Sequence, residues 1–246
     1  MDTVADQRQL RAGGWAEAHR DVVRVEGPQA ASFLQGQCSQ DIEGLAPGDA
    51  AWSFLLQPQG KVDAWLRVTR WDHEVFLLDV DPGFAGAVAE RLQRFKLRTK
   101  AEIERDDRWR FLAVRGQVEV QVEHEPGGHV LPLPVWWRGM VGYDLLCPVG
   151  TDIHLSVPEV ATAALEAVRI ECGVPAMGAE LTDRTIPAEV GDWIIEASVS
   201  FSKGCYTGQE LVARIDSRGG NVPRRLRGLV LDGDAAPPRE AEVVTD

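Results

Sequence analysis

An α+β fold, with helices set between antiparallel strands, follows from three observations on this sequence of 246 residues. Apolar or alternating runs from Ala50 onward follow the order β-β-β-α-β-β, which suits hairpins rather than a doubly wound parallel sheet. Turn residues separate those runs at hairpin spacing. The composition, 44% hydrophobic and 26% charged, is ordinary for a globular chain long enough to bury a sizeable core.

The elements read as follows. "DVVRVEG" (Asp21 to Gly27) alternates and is a strand, and "PQAASFLQGQC" after it is a helix with Pro28 near its first turn. "AAWSFLLQ" and "KVDAWLRVTRW" are two strands flanking "PQG", with Gly60 as the positive-φ residue of the turn. "EVFLLDV" is a third strand. Asp81-Pro82 reads as the cap of the helix "PGFAGAVAERLQRFKLR", which places Val88, Leu92 and Phe95 on one face and ends basic. "AEIER", "WRFLAVRG" and "VEVQVE" are further strands, "EHEPGGHVLPLP" a loop, and "GYDLLCP" a short strand. "SVPEVATAALEAVRIECG" is a helix; Ser156 and Glu159 form the pattern of a capping box and Gly173 suits the C-terminal cap. "VPAMGAELTDRTIPAEVG" is a long Gly- and Pro-rich loop of the kind that wraps a site. "RRLRGLVLDG" reads as a strand, and "AEVVTD" as the start of another, so the chain reads as one that stops inside a β domain.

Charge and cysteine usage narrow the function. A formal net charge of −12 does not suit a general nucleic-acid binder, so no direct nucleic-acid partner is expected. The first residues lack the apolar core of a secretory signal, and no run approaches the roughly 20 apolar residues of a membrane span. A soluble cytoplasmic protein is expected. Cys38, Cys147, Cys172 and Cys205 are widely spaced with no CxxC, and His124 and His129 fit no zinc pattern, so no metal site is assigned. Buried reduced thiols are expected for Cys38, Cys147 and Cys172.

The stretch "KGCYTGQELVAR", Lys203 to Arg214, concentrates the chemistry. It lacks P-loop spacing. Thr207 and Glu210 fit a capping box, with Leu211, Val212 and Ile215 on the inner face of the helix that follows. Cys205 then lies close to the positive end of that helix, with Lys203 nearby, and both features favour a thiolate. The cysteine is either a reactive thiol or a residue of a well-capped helix start. Arg214, Arg218, Arg224, Arg225 and Arg227 are either a solvated basic face or a site for carboxylate or phosphate.

These residues carry a resemblance. "KGCYTGQE" resembles the K-G-C-Y-x-G-Q-E signature of the YgfZ family of folate-binding iron–sulfur proteins, relatives of the glycine-cleavage T-protein, an aminomethyltransferase. "VEGPQAASFLQGQCSQDI", "RIECGVPAMGAELTDRTIPAE" and "VPRRLRGLVL" resemble further family segments in the same order, so the likeness runs from about Asp21 to Leu231.

The resemblance implies a T-protein-like fold around a central folate channel. It implies a split N-terminal folate-binding lobe (1–49 and 126–224), a ferredoxin-like α+β lobe (50–125) and the start of a truncated C-terminal β-barrel (225–246). Tetrahydrofolate, or a one-carbon derivative of it, is the implied cofactor. Iron–sulfur proteins, including tRNA-modifying enzymes, are the implied clients, whose clusters are assembled or repaired. Cys205 and Lys203 fall at the implied reacting centre, and Asp63, Glu171, Tyr206, Gln209, Glu210, Arg214 and Arg225 around the folate. "GKVDAW" resembles the T-protein's Gly-x-x-Asp-Asp with Asp63 kept and Ala64 in place of the second acid; with Asp63 and Glu171 present, an aminomethyltransferase passing a one-carbon unit to tetrahydrofolate is the second alternative. Glu171 matches the acid that would accept the N–H donors of the pterin. A third alternative is an arginine-patch binding module without folate.

Overall fold

In the computed structural model, which describes residues 3–117, 119, 121–124, 129–231, 238 and 241, six helices and eleven strands follow one another along the chain. They are α1 (Thr3–Gly13), β1 (Gly14–Ala18), β2 (Asp21–Glu26), α2 (Ala30–Gln37), β3 (Ala50–Leu56), β4 (Val62–Asp72), β5 (Val75–Val80), α3 (Ala85–Lys96) and β6 (Glu102–Arg105). Then come β7 (Trp109–Arg115), β8 (Val122–His124), β9 (Leu131–Pro134), β10 (Gly142–Pro148), β11 (Ile153–Leu155), α4 (Thr162–Glu171), α5 (Asp192–Ser198) and α6 (Gln209–Ser217), with a 3-10 turn at Pro187–Glu189 before α5. The mixed α+β class is the one expected from the strand order.

The alternating and apolar runs become two antiparallel sheets. One has five strands in the order β3-β4-β5-β2-β6, and so takes strands from both sides of residue 49. The other has four, in the order β1-β7-β10-β9, and β8 with β11 forms a separate ribbon. The sheets meet through Val22 and Leu77 of the first and Phe111, Leu133 and Leu146 of the second. A larger core joins the five-stranded sheet to α2, α3, α4 and the segment Val174–Leu181. Phe54, Phe76 and Phe111 are essentially inaccessible to water, each stabilising the fold by about 2 kcal/mol through its burial. On α3 the expected face holds: Val88 and Leu92 are buried and Phe95 packs against them.

Several helix starts differ from the sequence reading, and one physical reason recurs: the free N–H groups at a helix start donate to any oxygen that the tertiary fold brings near. Asp81 does not cap α3. Asp21, at the start of β2, does so, its Oδ2 accepting the N–H groups of Gly83 and Ala85. Ser156 and Glu159 form no capping box, since Ser156 Oγ accepts the N–H of Gln121 and α4 begins six residues later, after Ala161. Thr207 is not an N-cap either: Gly208 precedes α6, and no side chain caps it. The sequence reading also passed over α1, β1, β11 and α5, and the end of "EHEPGGHVLPLP", read as a loop, is β9, whose edge pairing with β10 fixes residues that have no alternating pattern of their own. Among the described residues, Arg224–Leu231 join no ladder; only Leu226 donates its N–H, to Glu189 O, and a strand without a partner is not stable. No closed barrel is present among the described residues, and the expected second barrel strand lies outside them. No described helix is long and apolar enough to cross a membrane.

Candidate functional site

Two regions carry chemistry. The first is a chamber of about 410 Å³ between the two sheets, closed on a third side by α4 and by Ala176 and Met177. Its wall is a ladder of alternating charges. Arg67 of β4 and Asp79 of β5 are cross-strand partners, and Arg67 Nε donates to Asp79 Oδ2 at 2.9 Å. Arg67 Nη1 reaches Asp144 Oδ2 of β10 at 2.8 Å, and Arg115 of β7 lies 2.9 Å from the other oxygen of Asp144. At the opposite end Arg20 Nε donates to Asp79 Oδ1 at 2.8 Å, and Arg20 also pairs with Asp81.

Burial alone would make these charges costly, so each is paired. Burial pushes the Asp144 carboxyl up, but Arg115 and Arg67 beside it outweigh that and hold it below the usual carboxylate range. Burial lowers the Arg67 guanidinium, and Asp79 and Asp144 more than reverse this, so it stays charged. The three arginines also face rings. Arg20 and Arg67 stand 5.4 and 5.5 Å from the centre of Trp52, and Arg115 stands 4.4 Å from that of Trp137. The chamber is therefore walled by indole rings and fixed guanidinium groups, Trp52 itself being stacked on Trp65 at 4.3 Å and overlain by Arg20 and Arg67, an arrangement suited to a flat heteroaromatic ligand with polar edges. The sequence reading missed this set. Its signal was an isolated charge in each of several otherwise apolar strands: Arg67 in "AWLRV", Asp79 in "FLLDV" and Asp144 in "YDLLC".

The second region is the loop of "KGCYTGQE". Lys203 Nζ donates to three backbone carbonyls, Gln35 O at 2.6 Å, Cys38 O at 2.7 Å and Gln40 O at 2.9 Å. All three ammonium protons are thus used at the C-terminal end of α2, where a helix dipole favours a cation. Burial lowers the Lys203 pKa, and the carboxylates of Asp41 and Glu43 act against that; the Cys38 thiol beside it is itself pushed up to about 11 by burial and is neutral near pH 7. The lysine is also 5.3 Å from the centre of the Tyr206 ring. Tyr206 is buried, and that burial pushes its phenol up to about 12. Its backbone N–H is taken by Gln209 Oε1, and the N–H of Thr207 by Gly36 O.

The glycine of the signature is required by a close approach. Gly208 has φ +82°, and a Cβ there would lie 2.5 Å from Gln57 O and 2.7 Å from the Leu56 side chain. Gly60, in the β3–β4 turn, is its counterpart: φ is +82° and a Cβ would lie 2.5 Å from Leu211 Cβ. The hairpin turn and the signature loop therefore interlock where neither has a side chain. Cys205 projects from this anchored loop and is exposed, whereas Cys38, Cys147 and Cys172 are buried, as expected for those three.

The remaining sequence-derived residues do not all gather here. Asp63 accepts from Arg91 Nε at 3.0 Å, and the same guanidinium donates to Gln37 Oε1 and Leu56 O, so Asp63 is linked to the C-terminal end of α2. Glu171 does not line the chamber. It pairs with Arg11 and Gln7 of α1 and borders an outer groove of about 570 Å³, which Arg225 also lines. Arg225 donates to Gly220 O at 2.8 Å, and Arg224 to the buried Glu189 at 2.9 Å. Arg169 borders both the chamber and the outer groove. Glu210 and Arg214 are exposed on α6. Of the two loop histidines, His129 packs edge-on against Trp71, and the side chain of His124 lies outside the described residues.

No family model matches the chain. Among curated proteins it is 29% identical over 238 residues to a protein of Pyricularia oryzae named iron–sulfur cluster assembly factor IBA57 homolog, mitochondrial; the match covers 93% of this chain and 60% of that one. It is 28% identical over 221 residues to the tRNA-modifying protein YgfZ of Edwardsiella ictaluri, covering 81% of this chain and 65% of the other. The chain thus spans less than two thirds of the length of either relative. Among solved structures, the glycine cleavage system aminomethyltransferase T of Bartonella henselae superposes with a TM-score of 0.68 at 20% identity, over 88% of this chain and 67% of that one. The likeness to that structure is one of fold.

Proposed function

We propose, from the likeness to proteins named IBA57 homolog and YgfZ and from the aminomethyltransferase-like fold, that the chain binds tetrahydrofolate in the chamber and serves the assembly or repair of iron–sulfur clusters in client proteins. The observation that carries the folate part is the chamber itself. Its volume falls in the ordinary range for a small-molecule site, and its indole faces and fixed arginines suit a pterin. Trp137 would hold the ring, and an anionic tail would leave the chamber past Arg169, whose own charge is matched by Glu166 and Glu180. When bound, tetrahydrofolate supplies a one-carbon carrier and a reduced pterin. Arg225 in the outer groove would extend the anion path.

The client part rests on the signature loop. Lys203, Tyr206 and Gln209 act as anchors that keep the loop in one conformation, and Cys205 is the group it presents. Among the described residues no three His, Cys, Asp or Glu side chains are grouped as a metal site. A cluster or sulfur carried at Cys205 would therefore draw further ligands from the client. One-carbon transfer is not carried as a second reading, because Ala64 stands beside Asp63 and the Asp63 carboxylate is held by Arg91.

The test has two arms. Titration of tetrahydrofolate, followed by tryptophan fluorescence, is expected to saturate, and Trp137→Ala is expected to weaken it about tenfold, the effect of losing one aromatic contact. A linear, unsaturable response removes the folate reading. Complementation of a strain lacking its own homologue is expected with the wild-type chain and not with Cys205→Ala; rescue by Cys205→Ala removes the thiol from the function.

A further inference from the structure

A third concavity lies beside the signature loop. It is a groove of about 340 Å³ lined by residues of α5 and α6. Ile195, Leu211, Val212 and Ile215 make it apolar, and Phe201 at its edge is 55% exposed. The floor is partly open to water and rimmed by polar groups, the anatomy of a groove that takes the apolar side chains of a short segment. The rim has one sign. Asp192, Glu196 and Asp216 line the groove, no lysine or arginine does, and none of the three acids is in an ion pair among the described residues. Residues 199–208, which join α5 to α6, carry Cys205, the one exposed cysteine of the four.

We propose that this groove docks the client protein, through a short segment whose apolar side chains are flanked by lysine or arginine. The proposal rests on the reading of Cys205 as the group presented to clients, and adds where and by what chemistry the client is held. Charge selects the occupant. Residues 232–246 of the chain itself contain five acids and one arginine and are repelled by the rim; a second copy could offer only its exposed Arg224–Leu231, and a concentration-dependent shift to a dimer in gel filtration, with no saturable peptide rate, would give the groove to that copy and overturn the proposal. Nucleic acid and anionic lipid are repelled for the same reason. A basic amphipathic segment satisfies both the floor and the rim, and seating it there raises its effective concentration at the thiol.

Thiol–disulfide exchange reads this directly. The probe is a synthetic eight-residue peptide with two leucines four positions apart, four lysines, and a cysteine activated as the mixed disulfide with thionitrobenzoate. The Cys205 thiolate attacks the peptide sulfur, a protein–peptide disulfide forms, and one thionitrobenzoate leaves with the electron pair and is read by its absorbance. With the full chain, the rate is expected to saturate with peptide concentration and, below saturation, to exceed about tenfold that of peptides with glutamates for lysines or serines for leucines. Phe201→Ser and the pair Glu196→Lys, Asp216→Lys are expected to bring it down to the rate of those controls. Glu104→Lys with Asp107→Lys, elsewhere on the surface, is expected to leave it unchanged. All variants should react alike with the neutral reagent 4,4′-dithiodipyridine, which senses only the thiol. Rates that do not saturate, or that fall equally for both charge-reversal pairs, overturn the proposal. Tetrahydrofolate titrations of the same samples are independent of this outcome, so failure of the folate reading and failure of the docking site are told apart.

Discussion

The chamber and the signature loop both hold cations partly or wholly withdrawn from water, but by different means. In the chamber Arg20 and Arg67 are held by the carboxylates of Asp79, Asp81 and Asp144, contributed by distant parts of the chain. In the loop, Lys203 is held by three backbone carbonyls at the end of α2, with no carboxylate in contact. Side-chain pairs fix the shape and charge of a wall, and each can be removed by one substitution. A lysine on backbone carbonyls instead ties one segment to another, so its loss frees a loop. The first arrangement suits recognition of a small molecule. The second suits presentation of an exposed thiol in a fixed place.

Substitutions can break that contrast. Asp79→Ala should have the largest effect, since it leaves Arg67 buried without its cross-strand partner; about 3–5 kcal/mol of stability should be lost in urea denaturation. A loss below about 1 kcal/mol would show that the charge ladder adds no more to stability than an exposed ion pair. Lys203→Met should cost about 2–3 kcal/mol, because three carbonyls lose a charged donor at once. It should also raise the proteolytic susceptibility of residues 200–208 while leaving tetrahydrofolate titration unchanged, and weakened folate binding would merge the two regions. Gly208→Ala should cost about 2 kcal/mol, from the left-handed backbone and the contact with Gln57 O, in the same measurement.

Acid sharpens the comparison further. The folded chain holds Asp144 below the usual carboxylate range, so below the unfolded value of about 3.9 the unfolded chain binds more protons than the folded one. This contribution is complete above that pH and is lost as pH falls through the folded value. Asp144→Asn should flatten the acid limb of a stability–pH curve, whereas Lys203→Met should lower the curve near pH 7 without changing the shape of that limb. The smallest effect belongs to Cys205→Ala. An exposed thiol contributes little to packing, so stability should change by no more than about 0.5 kcal/mol even as complementation is lost.

Much of the fold was legible in the residues because local pattern and tertiary role agree. The hairpin of β3 and β4 around Gly60, the apolar strand β5 and the face of α3 with Val88 and Leu92 were readable by period and turn chemistry alone. α1 was not, since its sequence is mostly polar and its place is decided by packing on α4. The candidate site was legible at the signature loop, where an unusual run of residue types stands close together. The chamber was not, because its arginines and aspartates come from β4, β5, β7 and β10 and each alone resembles a stray surface charge.

The sequence by itself determined the α+β class, the hairpin turn at Gly60 and the family signature, because those depend on side-chain period, on short-range turn chemistry and on the order of residue types. Only the tertiary structure decided what the charges do. Lys203, read as a neighbour of the thiol, gives its protons to the end of α2, and Glu171, read as a pterin ligand, faces Arg11. An ion or a donor takes whichever partner three-dimensional proximity offers, at energies that fall with distance in space and not with separation along the chain. That is why "KGCYTGQE" could be recognised from its letters, while the reason for its lysine and its second glycine needed the end of α2 and the turn at Gly60 beside it.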